Sequence, residues 1–152
     1  MGRKDLIEAA RLNTSPYSDS ISRGMKVNKE EMLGMLVALE AFINRDHAAV
    51  SKEWDKRVDT IADAAKKIKT VTSEVNVPEI ANHTPHLKLR WDQSQVKISP
   101  LEVKKQLFDS EPSIEVTPST NKDELVVTVW MLKPGEAEIV AKRIQSILKS
   151  AA

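Results

Sequence analysis

The chain contains no cysteine and only four glycines among its 152 residues. Without cysteine it cannot form a disulfide framework, a thiolate nucleophile, or a cysteine-ligated zinc or iron–sulfur centre. It also contains no phosphate-binding glycine loop, nucleophile elbow or zinc-protease motif. The sequence therefore carries no complete active site of these kinds, and the absence of cysteine fits a cytoplasmic location.

Aromatic residues make up only 4% of the chain, and neither sign of charge dominates. The 23 Lys and Arg residues are interspersed with 22 Asp and Glu residues, so no electrostatic footprint for nucleic acid or an anionic membrane exists. No apolar run approaches the roughly 20 residues that a membrane span needs, and the first residues are too charged for a signal-peptide core. We therefore expect a soluble protein with no membrane partner, and the charge balance argues against nucleic acid as a partner.

A helical pattern covers residues 28–70, and Asn28 with Glu31 can form a capping box at its start. The first half is apolar nearly all round, which is typical of a buried helix, whereas the second half carries a one-sided apolar stripe. We therefore predict one long helix whose first half packs against something large, leaving residues 32–42 exposed when that partner is absent. The stripe of the second half consists of Val50, Trp54, Val58, Ile61, Ala65 and Ile68.

The residues after 70 predict a small α+β domain that follows the long helix. Alternation and turn residues indicate strands at 71–77, 86–91, 113–117 and 125–132, with a hairpin turn at 118–123. A helix is expected over 99–108, with Ser99 as its cap and Pro100 at its first helical position. Another helix is expected from 134 onward, and it should bury Ile139, Val140, Ile144, Ile147 and Leu148. This order favours a mostly antiparallel sheet covered by helices on one side.

Two small groups of residues are candidates for ligand binding. Arg23 and Lys26 precede the N-terminus of the long helix, which makes either a phosphate or anion site or a solvated basic entrance to the helix. His83 and His86 have the i, i+3 spacing of some metal ligands, but Pro85 argues against a helix and no third ligand is near in sequence. We therefore predict no metal site, and place these histidines beside a ligand cleft or at the surface.

Several short segments, taken in order and spacing, carry a resemblance to a known family. They are GRKDLI at residues 2–7, RGMKV at 23–27, KEE at 29–31, PHL at 85–87 and LKPGE at 132–136. Together they resemble the carboxy-terminal part of the selenocysteine synthase-like pyridoxal-phosphate enzymes, in the D-glucosaminate-6-phosphate ammonia-lyase branch. The resemblance runs through essentially the whole chain.

The resemblance implies the aspartate aminotransferase type of fold, in which a long helix joins a large cofactor domain to a small carboxy-terminal domain. It assigns residues 1–27 to the end of the large domain, 28–70 to the connecting helix and 71–152 to the small domain. It also implies a pyridoxal 5′-phosphate-dependent lyase or transferase acting on an amino sugar acid phosphate or an amino acid-like substrate. In the family the cofactor-binding lysine precedes the segment that residues 2–5 match, so we expect it on a missing amino-terminal cofactor domain.

The implied contribution of this fragment is recognition rather than catalysis. Arg23 and Lys26 would lie near a bound phosphate or carboxylate, and His83 and His86 at the domain cleft, while no catalytic or cofactor-binding residue is expected here. We expect the chain alone to be inactive and to form a homo-oligomer. The alternative is a non-enzymatic dimerisation or ligand-binding domain that uses the long helix. An RNA-binding module, suggested only by the family's transfer-RNA-acting member, is opposed by the balanced charge.

Overall fold

The computed structural model describes residues 2–14, 17, 19–79 and 83–152. The chain divides into two compact units, the first ending at Arg45 and the second beginning at Asp46. The elements, in order, are α1 (Lys4–Leu12), a 3₁₀ turn (Ile21–Gly24), α2 (Lys29–Ile43), α3 (His47–Lys66), β1 (Thr72–Asn76), β2 (His86–Arg90), α4 (Pro100–Phe108), β3 (Leu125–Thr128) and α5 (Glu136–Ser150). The predicted α+β class is confirmed.

The first unit is built from helices that bury none of their described residues. Helix α2 begins with the predicted capping box: Glu31 N donates to Asn28 Oδ1 at 2.7 Å, and Asn28 N donates to Glu31 Oε2 at 3.2 Å. The predicted exposure around residues 32–42 is confirmed. The large apolar side chains of α2 that are more than half exposed are Met32, Leu33, Met35, Leu36, Val37, Phe42 and Ile43.

The predicted single helix over residues 28–70 is wrong, because residues 44–46 separate α2 from α3. Asn44 ends α2, and the Asp46 side chain begins α3 by accepting a hydrogen bond from Ala49 N at 2.9 Å. Short polar side chains of this kind favour helix ends because they bond to nearby backbone groups. Helix α3 also ends earlier than predicted, at Lys66.

The connection from α3 to the sheet contains a strained residue. Thr70 has φ of 74°, in the left-handed region that a β-branched side chain rarely adopts. Its hydroxyl oxygen is buried and has no hydrogen-bond partner. Thr70 therefore lowers the stability of the turn into β1 in two ways, through a strained backbone and through a buried hydroxyl that makes no hydrogen bond.

The second unit contains a three-stranded antiparallel sheet with the order β1-β2-β3. Its central strand β2 confirms the strand predicted at residues 86–91, with Leu87 and Leu89 fully buried. The predicted strand at 71–77 forms the edge strand β1, but its apolar residues are buried only at Val71. Val75 and Val77 are 51% and 50% exposed.

Two strand predictions are wrong in extent. In place of a strand at residues 113–117, only Thr117 pairs, through a single antiparallel bridge to Val126. Strand β3 ends at Thr128 rather than at residue 132, because the chain turns there and Leu132 N donates to Val129 O at 3.2 Å. The Arg57 guanidinium of α3 donates to the carbonyl oxygens of Val129 and Leu132, which fixes this turn.

One core joins helices α3, α4 and α5 to one face of the sheet. Helix α4 carries the predicted cap: Ser99 and Glu102 form a capping box, and Pro100 is the first residue of the helix. In α5 the predicted buried stripe is confirmed except for Ile139, which is 42% exposed. The three tryptophans, at positions 54, 91 and 130, all belong to this unit, and the buried Trp91 indole donates to Ile98 O at 2.8 Å. Within the described ranges, no helix combines the length and apolarity needed to span a bilayer.

Candidate functional site

The outer sheet face, opposite the helices, carries the polar side chains of β2. Because side chains alternate along a strand, Leu87 and Leu89 point into the core while His86, Lys88 and Arg90 lie on the other face and are half-buried. The residues directly opposite these three on the neighbouring strands are Thr72, Glu74 and Asn76 of β1 and Val126 and Thr128 of β3. This face brings together one histidine, two cations and several hydrogen-bonding groups.

Arg90 is held on the outer sheet face by two carboxylates. Its Nη1 donates to Glu74 Oε2 at 2.8 Å, and its Nε and Nη2 donate to Glu124 Oε2 at 3.2 and 2.8 Å. The hydrogen bond to Glu74, followed by those to Glu124, raises the pKa of Arg90. The guanidinium therefore stays charged and is already engaged, so it organises this face rather than standing ready for a ligand.

Glu124 is the most enclosed charge in this network, with only 8% of its side chain exposed. Burial pushes its pKa upward, but the hydrogen bonds from Ser119 Oγ, at 2.9 Å, and from Arg90 outweigh that effect. The nearby positive charges of Arg90 and Lys88 act in the same direction as these bonds. The pKa of Glu124 consequently lies below its ordinary value, and the carboxylate is ionised near neutral pH.

The two predicted histidines lie where the chain enters β2. His86 is the first residue of the strand and is half-buried between Asn76 and Thr128, whereas His83 is exposed. Thr84, between them, is buried. Across the part of the chain that the structure describes, no group of three or more His, Asp or Glu residues is arranged to hold a metal ion.

Arg23 and Lys26 lie in the first unit, ahead of α2. Arg23 is half-buried in the 3₁₀ turn and Lys26 is exposed. The first turn of α2 contains Glu30 and Glu31, and the capping box already engages the backbone amide of Glu31. The four predicted site residues thus fall into two pairs, one in each unit, and the members of each pair are three residues apart in sequence.

Comparison with known proteins finds a sequence relative and a solved structure that carry the same enzyme name. No family model matches the chain. It is 25% identical, over 156 residues and 99% of its length, to the D-glucosaminate-6-phosphate ammonia lyase of Salmonella typhimurium (strain 14028s / SGSC 2262). The chain is a partial homologue of this lyase. It spans 39% of the length of that relative, so the match covers well under half of the enzyme.

A solved structure of a D-glucosaminate-6-phosphate ammonia-lyase matches 99% of the chain with a TM-score of 0.64 and 21% identity. The match again covers 39% of the solved chain. It shows that this chain has the fold of the corresponding part of the lyase. The predicted resemblance to the D-glucosaminate-6-phosphate ammonia-lyase branch is therefore confirmed.

The described residues do not by themselves fit the pyridoxal phosphate that the predicted resemblance to this lyase implies. A lysine that anchors this cofactor must lie in an enclosed site, where desolvation favours its neutral amine. Every described lysine is at least partly exposed, and Lys104, one of the less exposed, is paired with Glu115 at 2.9 Å. These residues alone therefore offer no anchor for the cofactor.

Sequence reasoning missed the network of Arg90, Glu74 and Glu124. The alternation of His86, Lys88 and Arg90 was visible and places all three on one face. The sequence does not reveal their carboxylate partners, because the pairing of β1 with β2 and the approach of the loop before β3 depend on tertiary contacts. A cleft of about 540 Å³ beside the start of α4 was missed for the same reason, and its lining includes Pro100, Lys122 and Val126.

Proposed function

We propose that this chain forms the connecting helices and small domain of a pyridoxal-phosphate-dependent lyase or transferase acting on an amino sugar acid phosphate or amino acid-like substrate. The observation that carries the proposal is the match to a D-glucosaminate-6-phosphate ammonia-lyase over 99% of the chain, in sequence and in fold. A similarity confined to a few short segments would leave some helices or strands of this chain unmatched. A match through both units supports a shared architecture.

In this proposal the cofactor is anchored by an amino-terminal cofactor domain outside the 152 residues. The exposure of every described lysine supports that division, and so does the apolar surface of α2, which needs a partner to cover it. Pyridoxal phosphate, when bound, supplies the electron sink for the reaction. The residues of this chain supply recognition of the substrate.

Two pairs of residues would carry that recognition. Arg23 and Lys26 offer positive charge to a phosphate or carboxylate group of the substrate, an interaction that strengthens when the site is closed to water. His83 and His86 lie at the entrance to β2, where an imidazole can donate a hydrogen bond to a substrate oxygen. The half-buried His86 is held more rigidly than the exposed His83, since it belongs to a strand paired on both sides.

The experiment that tests the proposal is co-expression of the chain with a lysine-bearing cofactor domain encoded immediately upstream of it. After incubation with pyridoxal phosphate and reduction with borohydride, we expect one stoichiometric lysine adduct, located on the cofactor domain. The chain incubated alone is the control and should show no stoichiometric adduct. A single stoichiometric adduct on a lysine of this chain would contradict the proposed division.

A second test addresses recognition in the assembled enzyme. Substituting Lys26→Gln or His86→Gln should raise KM for the phosphorylated substrate more than it lowers kcat, because these residues bind rather than react. Lys69→Gln, at an exposed lysine outside both pairs, is the matched control. Equal effects of Lys26→Gln and Lys69→Gln on KM would contradict a binding role for Lys26.

A second candidate function is a non-enzymatic dimerisation domain. The exposed apolar side chains all round α2 favour it, because two copies could cover part of each other's helix. A stable dimer that binds no phosphorylated ligand, and that does not associate with any upstream domain, would support this candidate over the lyase.

A further inference from the structure

Strand β1 is an open edge of the sheet. It pairs with β2 alone, so its other side presents a row of backbone N–H and C=O groups that face no strand among the described residues. Such an edge is a template for pairing with another strand unless the sequence protects it. Proteins usually protect an edge with lysine, proline, a bulge or a very short strand.

Lysine, proline and a bulge are all missing within β1, although Pro78 lies two residues beyond its end. The strand Thr72–Asn76 contains neither lysine nor proline, and its register with β2 runs through all five residues without a bulge. Its one charge, Glu74, lies on the outer sheet face and forms an ion pair with Arg90 of the same sheet at 2.8 Å. Val75 and Val77 are each about half exposed, so the edge also presents apolar side chains.

The sequence of this edge is complementary to itself. When two copies align antiparallel with Val75 opposite Val75 of the second copy, Ser73 faces Val77 and Glu74 faces Asn76. The two Val75 side chains then meet on the face that the helices cover, and a carboxylate meets an amide on the other face. A shift that centres the pair on Glu74 would place two carboxylates directly opposite, which is destabilising.

We propose that β1 pairs antiparallel with β1 of a second copy of this chain, with Val75 at the two-fold axis, to give a continuous six-stranded sheet. The symmetric arrangement closes both edges in one step and leaves no further β1 edge for addition. Closure of this kind removes the tendency of an open edge to recruit more chains. The inference does not depend on the lyase assignment, because it rests on the edge strand alone.

Cysteine cross-linking tests the proposal in the full chain, which has no cysteine of its own. Opposed Cβ atoms in an antiparallel pair lie about 4.5–5.5 Å apart, close to the spacing of a disulfide. Val75→Cys should therefore form a disulfide-linked dimer under mild oxidation at least on the order of tenfold faster than Leu101→Cys, a control at a more exposed position. Cross-linking of Val75→Cys no faster than that of Leu101→Cys overturns the proposal.

A mixing experiment tests the register. Copies of residue 73 would lie about 13 Å apart along paired strands, too far for a disulfide, so Ser73→Cys and Val77→Cys should each fail to cross-link alone. An equimolar mixture of the two should form the mixed dimer. Adding Val75→Lys to both variants should abolish the mixed dimer, with unchanged circular dichroism showing that the chain is folded. Equal cross-linking of each variant alone and of the mixture overturns the proposed register.

Discussion

At the scale of single residues, Thr70 and Glu124 show opposite ways in which a polar side chain is placed. The Thr70 hydroxyl is buried without a partner on a strained backbone, whereas the enclosed Glu124 carboxylate accepts hydrogen bonds from Ser119 and Arg90. The first arrangement costs stability, and the second repays the burial of a charge. Each makes a prediction that a single substitution can test.

Replacing Thr70 with glycine should stabilise the second unit. Glycine adopts φ of 74° without steric cost, and the substitution also removes the buried, unpaired hydroxyl. These two gains should exceed the entropic cost of a more flexible unfolded chain by about 1 kcal/mol. Urea unfolding followed by circular dichroism measures the change in free energy of unfolding. Thr70→Ala, which removes the hydroxyl but keeps Cβ, should gain less. An equal gain from the alanine variant would show that the backbone is not strained.

Replacing Glu124 with glutamine should change how stability depends on pH. The folded-state pKa of Glu124 is depressed, so its contribution is present above the unfolded value of about 4.3 and is lost as pH falls through the folded pKa. Glu124→Gln should therefore lower the free energy of unfolding near pH 7 by on the order of 1 kcal/mol and flatten its decline in acid.

Urea midpoints between pH 7 and pH 3 measure the effect of Glu124→Gln. The control is Glu115→Gln, which replaces an exposed carboxylate paired with Lys104. This substitution should alter the free energy of unfolding little at any of these pH values. Parallel pH curves for the wild type and Glu124→Gln would rule out a depressed pKa at this position.

At the scale of elements, the division between α2 and α3 depends on side chains at their ends. The Asp46 carboxylate accepts from Ala49 N, and Asp46→Ala should cost about 1 kcal/mol at the start of α3. Hydrogen exchange measures this locally, as a loss of protection at the Ala49 amide. Asp55→Ala, at an exposed position within α3, is the control and should leave that amide protected. Equal loss in both variants would mean that Asp46 is not the cap.

Local patterns predicted most elements, and the errors arose where tertiary contacts decide. The caps at Asn28 and Ser99 and the alternation of β2 depend on neighbours in sequence, and the structure confirms them. The end of β3 depends on Arg57, which lies more than 70 residues earlier in the chain, and the pattern could not reveal that contact. Val75 follows the predicted alternation of the strand, but its exposure depends on how far the helices extend over the sheet edge.

The residues of the candidate site also divide into those that the local sequence reveals and those that depend on tertiary contacts. Arg23, Lys26, His83 and His86 could be picked out because their positions are local: two precede a helix and two enter a strand. The role of Arg90 could not be predicted, since Glu74 and Glu124 reach it from two different neighbouring segments.

At the scale of the whole molecule, the exposed apolar residues of α2 set the behaviour of the chain in isolation. Replacing Leu33, Leu36 and Val37 together with glutamine should roughly halve binding of a hydrophobic dye. It should also prevent association with an upstream cofactor domain. The matched control replaces the exposed residues Leu101, Phe108 and Met131 with glutamine. If the control set lowers dye binding and association equally, α2 is not the docking surface.

The placement of the tryptophans gives this molecule a selective optical signal. All three belong to the second unit, where Trp91 is buried, Trp54 is half-buried and Trp130 is exposed. Emission excited at the red edge of indole absorption therefore reports on the second unit and is silent for the first. A partner that docks on α2 alone would leave that spectrum unchanged, whereas a ligand that reorganises the turn at Trp130 would shift it.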